Sequence, residues 1–250
     1  MAQRRFFCPD IPAAGSTFDL PVDEGRHALK VLRVQPGDRV GLLDGRGTRA
    51  EAIIGDVDRS RRNAPVLCEV VEVETFCRPR LHLSLFVAVP RGKLMGRVIR
   101  DATELGVQRI IPILCEFSVA KPGVSPIAHW TADAVAAIKQ CGNVFLPEIM
   151  EPRSLADAVA QAPPRSYVGA VPKSLVAPTA ETTSIDGGEL GVWIGPEGGF
   201  SEPEQALLFG SGFAPLTVGT WTLTLVAAVP ALLGALLGRI DHDLLCCERR

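Results

Sequence analysis

Apolar positions recur along this chain in two rhythms, and the change falls near Leu81. Up to about Glu74 the runs are short and broken by turn residues. The stretch DRVGLLDGRGTRAEAIIGDV, residues 38–57, holds two apolar runs on either side of Asp44-Gly45-Arg46-Gly47. Asp-Gly supplies the positive φ that a tight hairpin demands, so the pattern predicts two antiparallel strands. APVLCEVVEVE, residues 64–74, alternates apolar and polar as a half-buried strand does. This part of the chain is expected to form a small β-barrel or sandwich.

From Leu81 onward, strand-like runs alternate with helical periodicities: LHLSLFVAV (81–89), RVIRDATELG (97–106) and RIIPIL (109–114). A strand, a helix closed by Gly106 and a second strand make a βαβ unit, which implies an α/β domain with a largely parallel sheet. Helix is predicted for WTADAVAAIKQCG, strand for RSYVGAV, and a loop rich in Pro, Thr, Ser and Gly for residues 172–188. LGVWIG reads as a strand and SEPEQALLFGSG as a helix, with Ser201 as N-cap and Glu204 three residues on. APLTVG is the last strand, and the final helix begins near Thr224. That helix, LTLVAAVPALLGALL, is apolar on every side, which predicts burial in the core or against a second subunit. The run Leu223 to Leu237 is shorter than a membrane span and is interrupted by Pro230 and Gly234, so no membrane insertion is expected.

The stretch VWIGPEGGFSEPE, Val192 to Glu204, carries the candidate chemistry. In parallel α/β sheets ligands sit beyond the carboxyl ends of strands, where this motif places its glycines. Gly198 and Gly199 let main chain approach a ligand closely, and Pro196 stiffens the turn. Neither Gly-x-x-x-x-Gly-Lys-Ser/Thr nor Gly-x-Gly-x-x-Gly occurs there, so the common nucleotide loops do not apply. On spacing alone the turn is equally a tight connection with no ligand. Glu197 either stiffens the loop through a neighbouring N–H or contributes to an active site.

Charge narrows the partners. With 26 basic and 28 acidic residues the chain does not coat nucleic acid wholesale, yet a local basic patch remains open. Basic residues cluster at Arg4-Arg5, at Arg26, Lys30 and Arg33, and at Arg59, Arg61 and Arg62. Only 6% of residues are aromatic, which leaves little for extended stacking surfaces, so RNA contact would rest on such cations. Arg4, Arg5 and Arg33 are candidate phosphate contacts, and His27 either joins them or is a satisfied polar residue. Lys93, Arg97 and Arg100 share a helical side by their spacing and either extend that surface or face solvent. The histidines lack metal-ligand spacing, and no metal is expected. Seven cysteines without a Cys-x-x-Cys pair offer no zinc ribbon or disulfide framework and suggest reduced thiols. The start MAQRRFFCPDIP has no apolar core of a signal peptide, so a cytoplasmic location is expected.

The string IGPEGGFSEPE resembles the motif of the ribosomal small subunit methyltransferase E family, in the knotted SPOUT class of RNA methyltransferases. RRFF near the start, HALKVLRVQPGDRVGLLDGRG (27–47), ATELGVQRIIPI (102–113) and KQCGNVFLPEI (139–149) are similar to that family's other blocks, in its order. The resemblance implies a PUA-like β-barrel that binds RNA over residues 1–75. It further implies a trefoil-knotted α/β methyltransferase domain over 76–250, a homodimer, and the small ribosomal subunit rRNA as partner. S-adenosylmethionine would then be gripped chiefly by main chain around Ile194, Gly195, Pro196, Glu197 and Gly198 and around Val218, Gly219, Leu223 and Leu225. The strand near Tyr167 to Ala170 would give a third wall. RNA contact would fall to Arg4, Arg5, His27, Arg33 and Arg97. The implied reaction methylates uridine at ring N3, a nitrogen that carries a proton, and it leaves the catalytic base unassigned.

The chain departs from the family's pattern in its last loop, VGTWTLTLVAAVPAL. Trp221 and Thr224 stand where the family has arginines, and Val226 where it has a glutamate. Arg100-Asp101 replaces a usual Gln-Lys, and Asn143 replaces a usual Arg. Two readings are open: an active RNA methyltransferase with altered substrate contacts, or a non-catalytic relative that keeps RNA or adenosylmethionine binding.

Overall fold

The computed structural model describes residues 4–57, 65–118, 126–171 and 187–249. The expected loop over 172–188 lies almost wholly outside the described residues, as do Arg59, Arg61 and Arg62. The chain divides into two compact units. One comprises Met1–Arg78, Ile138–Leu146 and Cys247–Arg250, the other Pro79–Ala137 and Pro147–Cys246.

In the first unit, strands β1 (Arg5–Phe7), β2 (Thr17–Asp19), β3 (Arg39–Leu43), β4 (Thr48–Ile54) and β5 (Leu67–Thr75) form one sheet in the order β1-β3-β4-β5-β2. β1 runs parallel to β3, and the remaining pairs are antiparallel. The β3–β4 hairpin forms where Asp-Gly predicts it. Gly45 and Gly47 take φ values of 71° and 110°, and Asp44 Oδ1 accepts from the main-chain N–H groups of Arg46 at 2.7 Å and Thr48 at 2.8 Å. Helix α1 (Val22–His27) continues into a π-helical turn, Ala28–Leu32, that ends at Arg33 in the left-handed region. Phe6, Leu42, Ala52, Ile54 and Val70, one or two from each of four strands, meet Ala28 in a single core, and Phe18 of β2 packs against it. The sheet therefore wraps about its own apolar face, as the PUA-like reading expects.

Residues 138–146 pack in this unit as well. The Leu146 N–H donates to the Gly45 carbonyl at 2.8 Å, and the Gly47 N–H donates to the Val144 carbonyl at 3.0 Å. Phe145 and Val144 form a small apolar cluster with Leu43. The first unit thus draws on three stretches of chain.

The second unit is built on parallel pairing. Strands β6 (Leu81–Ala88), β7 (Arg109–Leu114), β8 (Glu148–Ile149), β9 (Arg153–Ser154), β10 (Ser166–Gly169), β11 (Gly188–Ile194) and β12 (Ala214–Leu216) make a sheet ordered β12-β10-β11-β6-β7-β8, with β9 also on β7. Every pairing is parallel. Strands covered on both faces read as near-continuous apolar runs, and β6 is buried at all but one position. Trp193 of β11 stacks on Phe86 of β6, ring centroids 3.9 Å apart and planes within 4°.

Helices α2 (Leu94–Glu104), α3 (Pro126–Cys141), α4 (Leu155–Val159), α5 (Glu202–Gly210), α6 (Leu225–Leu237) and α7 (His242–Leu245) complete the elements. α2 closes at Gly106, whose φ of 77° provides the expected left-handed stop. α6 starts at Thr224, whose hydroxyl accepts from the Ala227 N–H, and it packs on α2 and β11. Leu225, Val229, Leu232, Leu233 and Leu236 form its buried face, whereas Ala227 and Gly234 are exposed. Among the described residues no helix is long and apolar enough to cross a membrane.

Gly47 tests how the hairpin meets residues 138–146. A Cβ there would stand 2.7 Å from Phe145 Cε1 and 2.8 Å from the Phe76 carbonyl oxygen, on a backbone with φ of 110°. Strain and overpacking together predict that Gly47→Ala loses about 2–4 kcal/mol in urea unfolding. A loss near zero would mean that this contact does not form.

Candidate functional site

The pocket is a consequence of strand direction. β10 pairs in parallel with β11 on one side and β12 on the other, with Val168 opposite Trp193 and Gly169 opposite Leu216. Three neighbouring strands therefore deliver their carboxyl ends to one edge, where ligands of α/β sheets bind. The segments leaving those ends, Gly169–Val171, Ile194–Phe200 and Val218–Leu225, wall a pocket of about 620 Å³ counted to its open mouth. α6 supplies the floor with Leu225, Ala228 and Leu232.

Glycines make the walls thin. A Cβ on Gly169 would stand 2.7 Å from Leu232 Cδ1, so glycine lets α6 close on β10. A Cβ on Gly195 would lie 3.1 Å from two ring carbons of Phe200. The Gly199 N–H donates to the Pro196 carbonyl at 2.8 Å, and Gly199 has φ of 77°, so residues 196–199 form a tight turn. Glu204 anchors the chain just past this turn. One carboxylate oxygen accepts from the Ser201 N–H at 2.9 Å, the capping contact expected from the sequence, and the other accepts from the Glu116 N–H at 2.8 Å. The glycine turn and the chain beyond β7 are thereby tied to one side chain at the start of α5.

Ile194, Gly195, Pro196, Glu197, Val218, Leu223 and Leu225 all line the pocket. Gly198 does not. It faces Phe117, whose Cβ lies 3.2 Å from where a glycine Cβ would be, and it borders a neighbouring groove with Arg91, Glu116, Ser118 and Glu197. Gly219 is also outside the lining, where its φ of 71° turns the loop. The third wall is met at Gly169 and Ala170, within the strand expected to supply it. Phe200, Ala228 and Leu232 line the pocket without having been singled out for it, while Trp221 and Thr222 lie within the expected loop from Val218 to Leu223. Phe200 directly succeeds the glycine turn, which is a signal for an aromatic wall; nothing local marks Leu232.

The candidate RNA-contacting residues are divided between the units. Arg4, Arg5, His27 and Arg33 belong to the first and Arg97 to the second. Arg4 pairs with Asp38 at 2.5 Å, and Arg5 donates to the carbonyls of Lys139 at 3.2 Å and Gln140 at 2.9 Å, capping the end of α3. His27 is half-buried and Arg33 is exposed. Arg97 Nε donates to both Asp101 oxygens, at 2.7 and 2.8 Å, and Arg100 pairs with Asp133 at 3.0 Å. Such partly exposed pairs contribute little to stability.

Chemically the pocket is simple. Glu197, exposed, is the one ionisable side chain among its described lining residues. Burial pushes the thiols of Cys8, Cys68 and Cys115 up to about 12, so these cysteines stay protonated at neutral pH and supply no thiolate nucleophile. What remains is main-chain donors and acceptors, an apolar floor, the Thr222 hydroxyl, the Trp221 indole, and one carboxylate at the rim. That set can orient a ligand and take a proton.

Known proteins are similar to this chain in sequence and fold. A family described as RNA methyltransferase domain matches residues 77–237, and one described as RNA methyltransferase PUA domain matches residues 20–61. The chain is 29% identical to the ribosomal RNA small subunit methyltransferase E of Aquifex aeolicus, covering 89% of this chain and 95% of that protein. It is 27% identical to the protein of the same name from Synechocystis sp., over 91% and 75%. The crystal structure of a ribosomal RNA small subunit methyltransferase E from Neisseria gonorrhoeae bound to S-adenosyl methionine superposes with a TM-score of 0.83 at 25% identity, covering 94% of this chain and 97% of that one.

The double hydrogen bond of Glu204 can be measured. Glu204→Ala leaves two main-chain donors without their carboxylate and is expected to cost about 1–3 kcal/mol in urea unfolding. Hydrogen exchange at the Glu116 amide should accelerate in the same variant. Unchanged exchange there would contradict the tether.

Proposed function

The chain belongs to the RNA methyltransferase family, and we propose from that premise that it is an S-adenosylmethionine-dependent methyltransferase of small-subunit ribosomal RNA, acting at ring N3 of a uridine. The observation that carries this reading is the pocket walled by three main-chain segments at the carboxyl edge of the parallel sheet. The residues present fit a nucleoside-bearing cofactor, because main chain at Ile194–Glu197, Val218 and Gly169–Ala170 offers hydrogen-bonding groups where side chains would intrude. A Cβ at Gly169 or Gly195 would press on Leu232 or Phe200.

S-adenosylmethionine supplies a methyl group on a positively charged sulfur, which a nucleophile can attack in line. The chain does the rest. The three wall segments orient the donor, while Phe200, Leu225, Ala228 and Leu232 exclude water from it. Uridine N3 must lose its proton before its lone pair can attack. Glu197 is the carboxylate at the pocket that takes this proton, directly or through one water.

The PUA-like region over residues 1–75 holds RNA, with Arg4, Arg5, His27 and Arg33 toward the phosphates, and Arg97, in the region over 76–250, is a further RNA contact. The latter carries the trefoil knot. Two copies pair through the exposed side of α6, where Ala227 and Gly234 allow close approach. The protein works in the cytoplasm, where small subunits are assembled.

Undermethylated small ribosomal subunits and isotopically labelled S-adenosylmethionine test the reading. Label is expected in the small-subunit RNA as a base methylated at uridine N3. Glu197→Gln should lower kcat about 100-fold or more while donor binding is retained. A folded protein that binds donor and RNA yet transfers no label would instead be a non-catalytic relative.

A further inference from the structure

A single exposed apolar side chain needs no explanation, but the place of Trp221 does. It lines the pocket from the loop between β12 and α6, and it is 76% exposed. The other two tryptophans, Trp130 and Trp193, are buried. Leu223, two residues on, is also exposed and also lines the pocket. From Thr217 to Leu225 the chain carries no charged side chain, so this loop has no cation with which to hold a phosphate.

The walls and floor of the pocket are main chain and the apolar side chains of α6, which suits a donor seated inside. Trp221 stands at the solvent side. An indole in that position offers one strong interaction to a nucleic acid, the stacking of a planar base on its face. Chemistry on a base also requires that the base leave its own stack, and a flipped base loses its neighbours unless the enzyme provides a substitute.

We propose that Trp221 is that substitute: the acceptor base, turned out of the RNA, stacks on its indole and is held over the mouth of the donor pocket. The proposal rests on the methyltransferase reading and makes Trp221 a substrate-binding residue for it. Affinity for the acceptor base then comes from an aromatic face, and the loop has no ionic contribution to make.

Tryptophan fluorescence reads this directly, because Trp221→Phe subtracts the one exposed indole from two buried ones. In vitro transcribed small-subunit rRNA adds no tryptophan emission, and S-adenosylhomocysteine fills the donor pocket without reacting. Filter retention of the RNA is measured in the same samples. RNA is expected to quench the Trp221 emission and to lower its accessibility to acrylamide severalfold. In methylation assays Trp221→Ala should raise the KM for RNA about 10-fold, and Trp221→Phe, which can still stack, should recover most of that loss.

Three results overturn the proposal: RNA retained with the Trp221 signal unchanged, full quenching by S-adenosylhomocysteine alone, or equal KM values in wild type and Trp221→Ala. The second would assign the indole to the cofactor's adenine. If the RNA is not retained at all, the RNA reading itself fails and the proposal falls with it.

Discussion

Strand β10 is paired in parallel on both sides, and the site exists because of it. Parallel neighbours point the same way, so β10, β11 and β12 release their chains at one edge of the sheet. An antiparallel partner on either side would carry one of the three walls to the opposite edge. Two local features then bring the walls into use. Gly169 lets α6 reach β10, and the stacked Phe86 and Trp193 secure β11 against β6 just ahead of the glycine turn.

Donor and acceptor contacts depend on different parts of the chain. A donor pocket made of main chain and apolar floor depends on backbone geometry, and it survives changes of side chain that respect that geometry. An acceptor site at the rim depends on side chains. A loop with uncharged residues at Trp221, Thr224 and Val226, where the family resemblance implies charged ones, can therefore leave the pocket walls standing. Thr224 has a structural use, capping α6, and Trp221 faces the solvent side. The Arg100-Asp101 pair in α2 is satisfied locally, Asp101 by Arg97 and Arg100 by Asp133.

The hairpin at Asp44-Gly45, the βαβ unit closed at Gly106 and the glycine turn after Ile194 were legible because each has a local cause: a positive φ, an alternation, a strand end. Seven of the nine pocket residues that the family resemblance implied line it. Gly198 looked equivalent to its neighbours, but the turn from Pro196 to Gly199 rotates it toward Phe117. Leu232 could not be found, since only the packing of α6 on Gly169 brings it to the floor. Residues 138–146 carry no sign that Phe145 and Leu146 meet the hairpin glycines nearly a hundred residues earlier. Arg5 reads in sequence as a free cation, and the structure gives its guanidinium the two carbonyls that end α3. Local rules find turns and strand ends; they do not find partners distant in the chain.

The claim on which the rest stands is that main chain at three strand ends holds S-adenosylmethionine. Calorimetric titration of the purified protein with this cofactor tests it most directly, with Gly195→Arg as the variant whose side chain fills the pocket. Saturable binding at one molecule per chain, lost in a variant that remains folded, is the predicted result. A folded protein that takes up no cofactor, or a variant that binds as well as the natural chain, would contradict it.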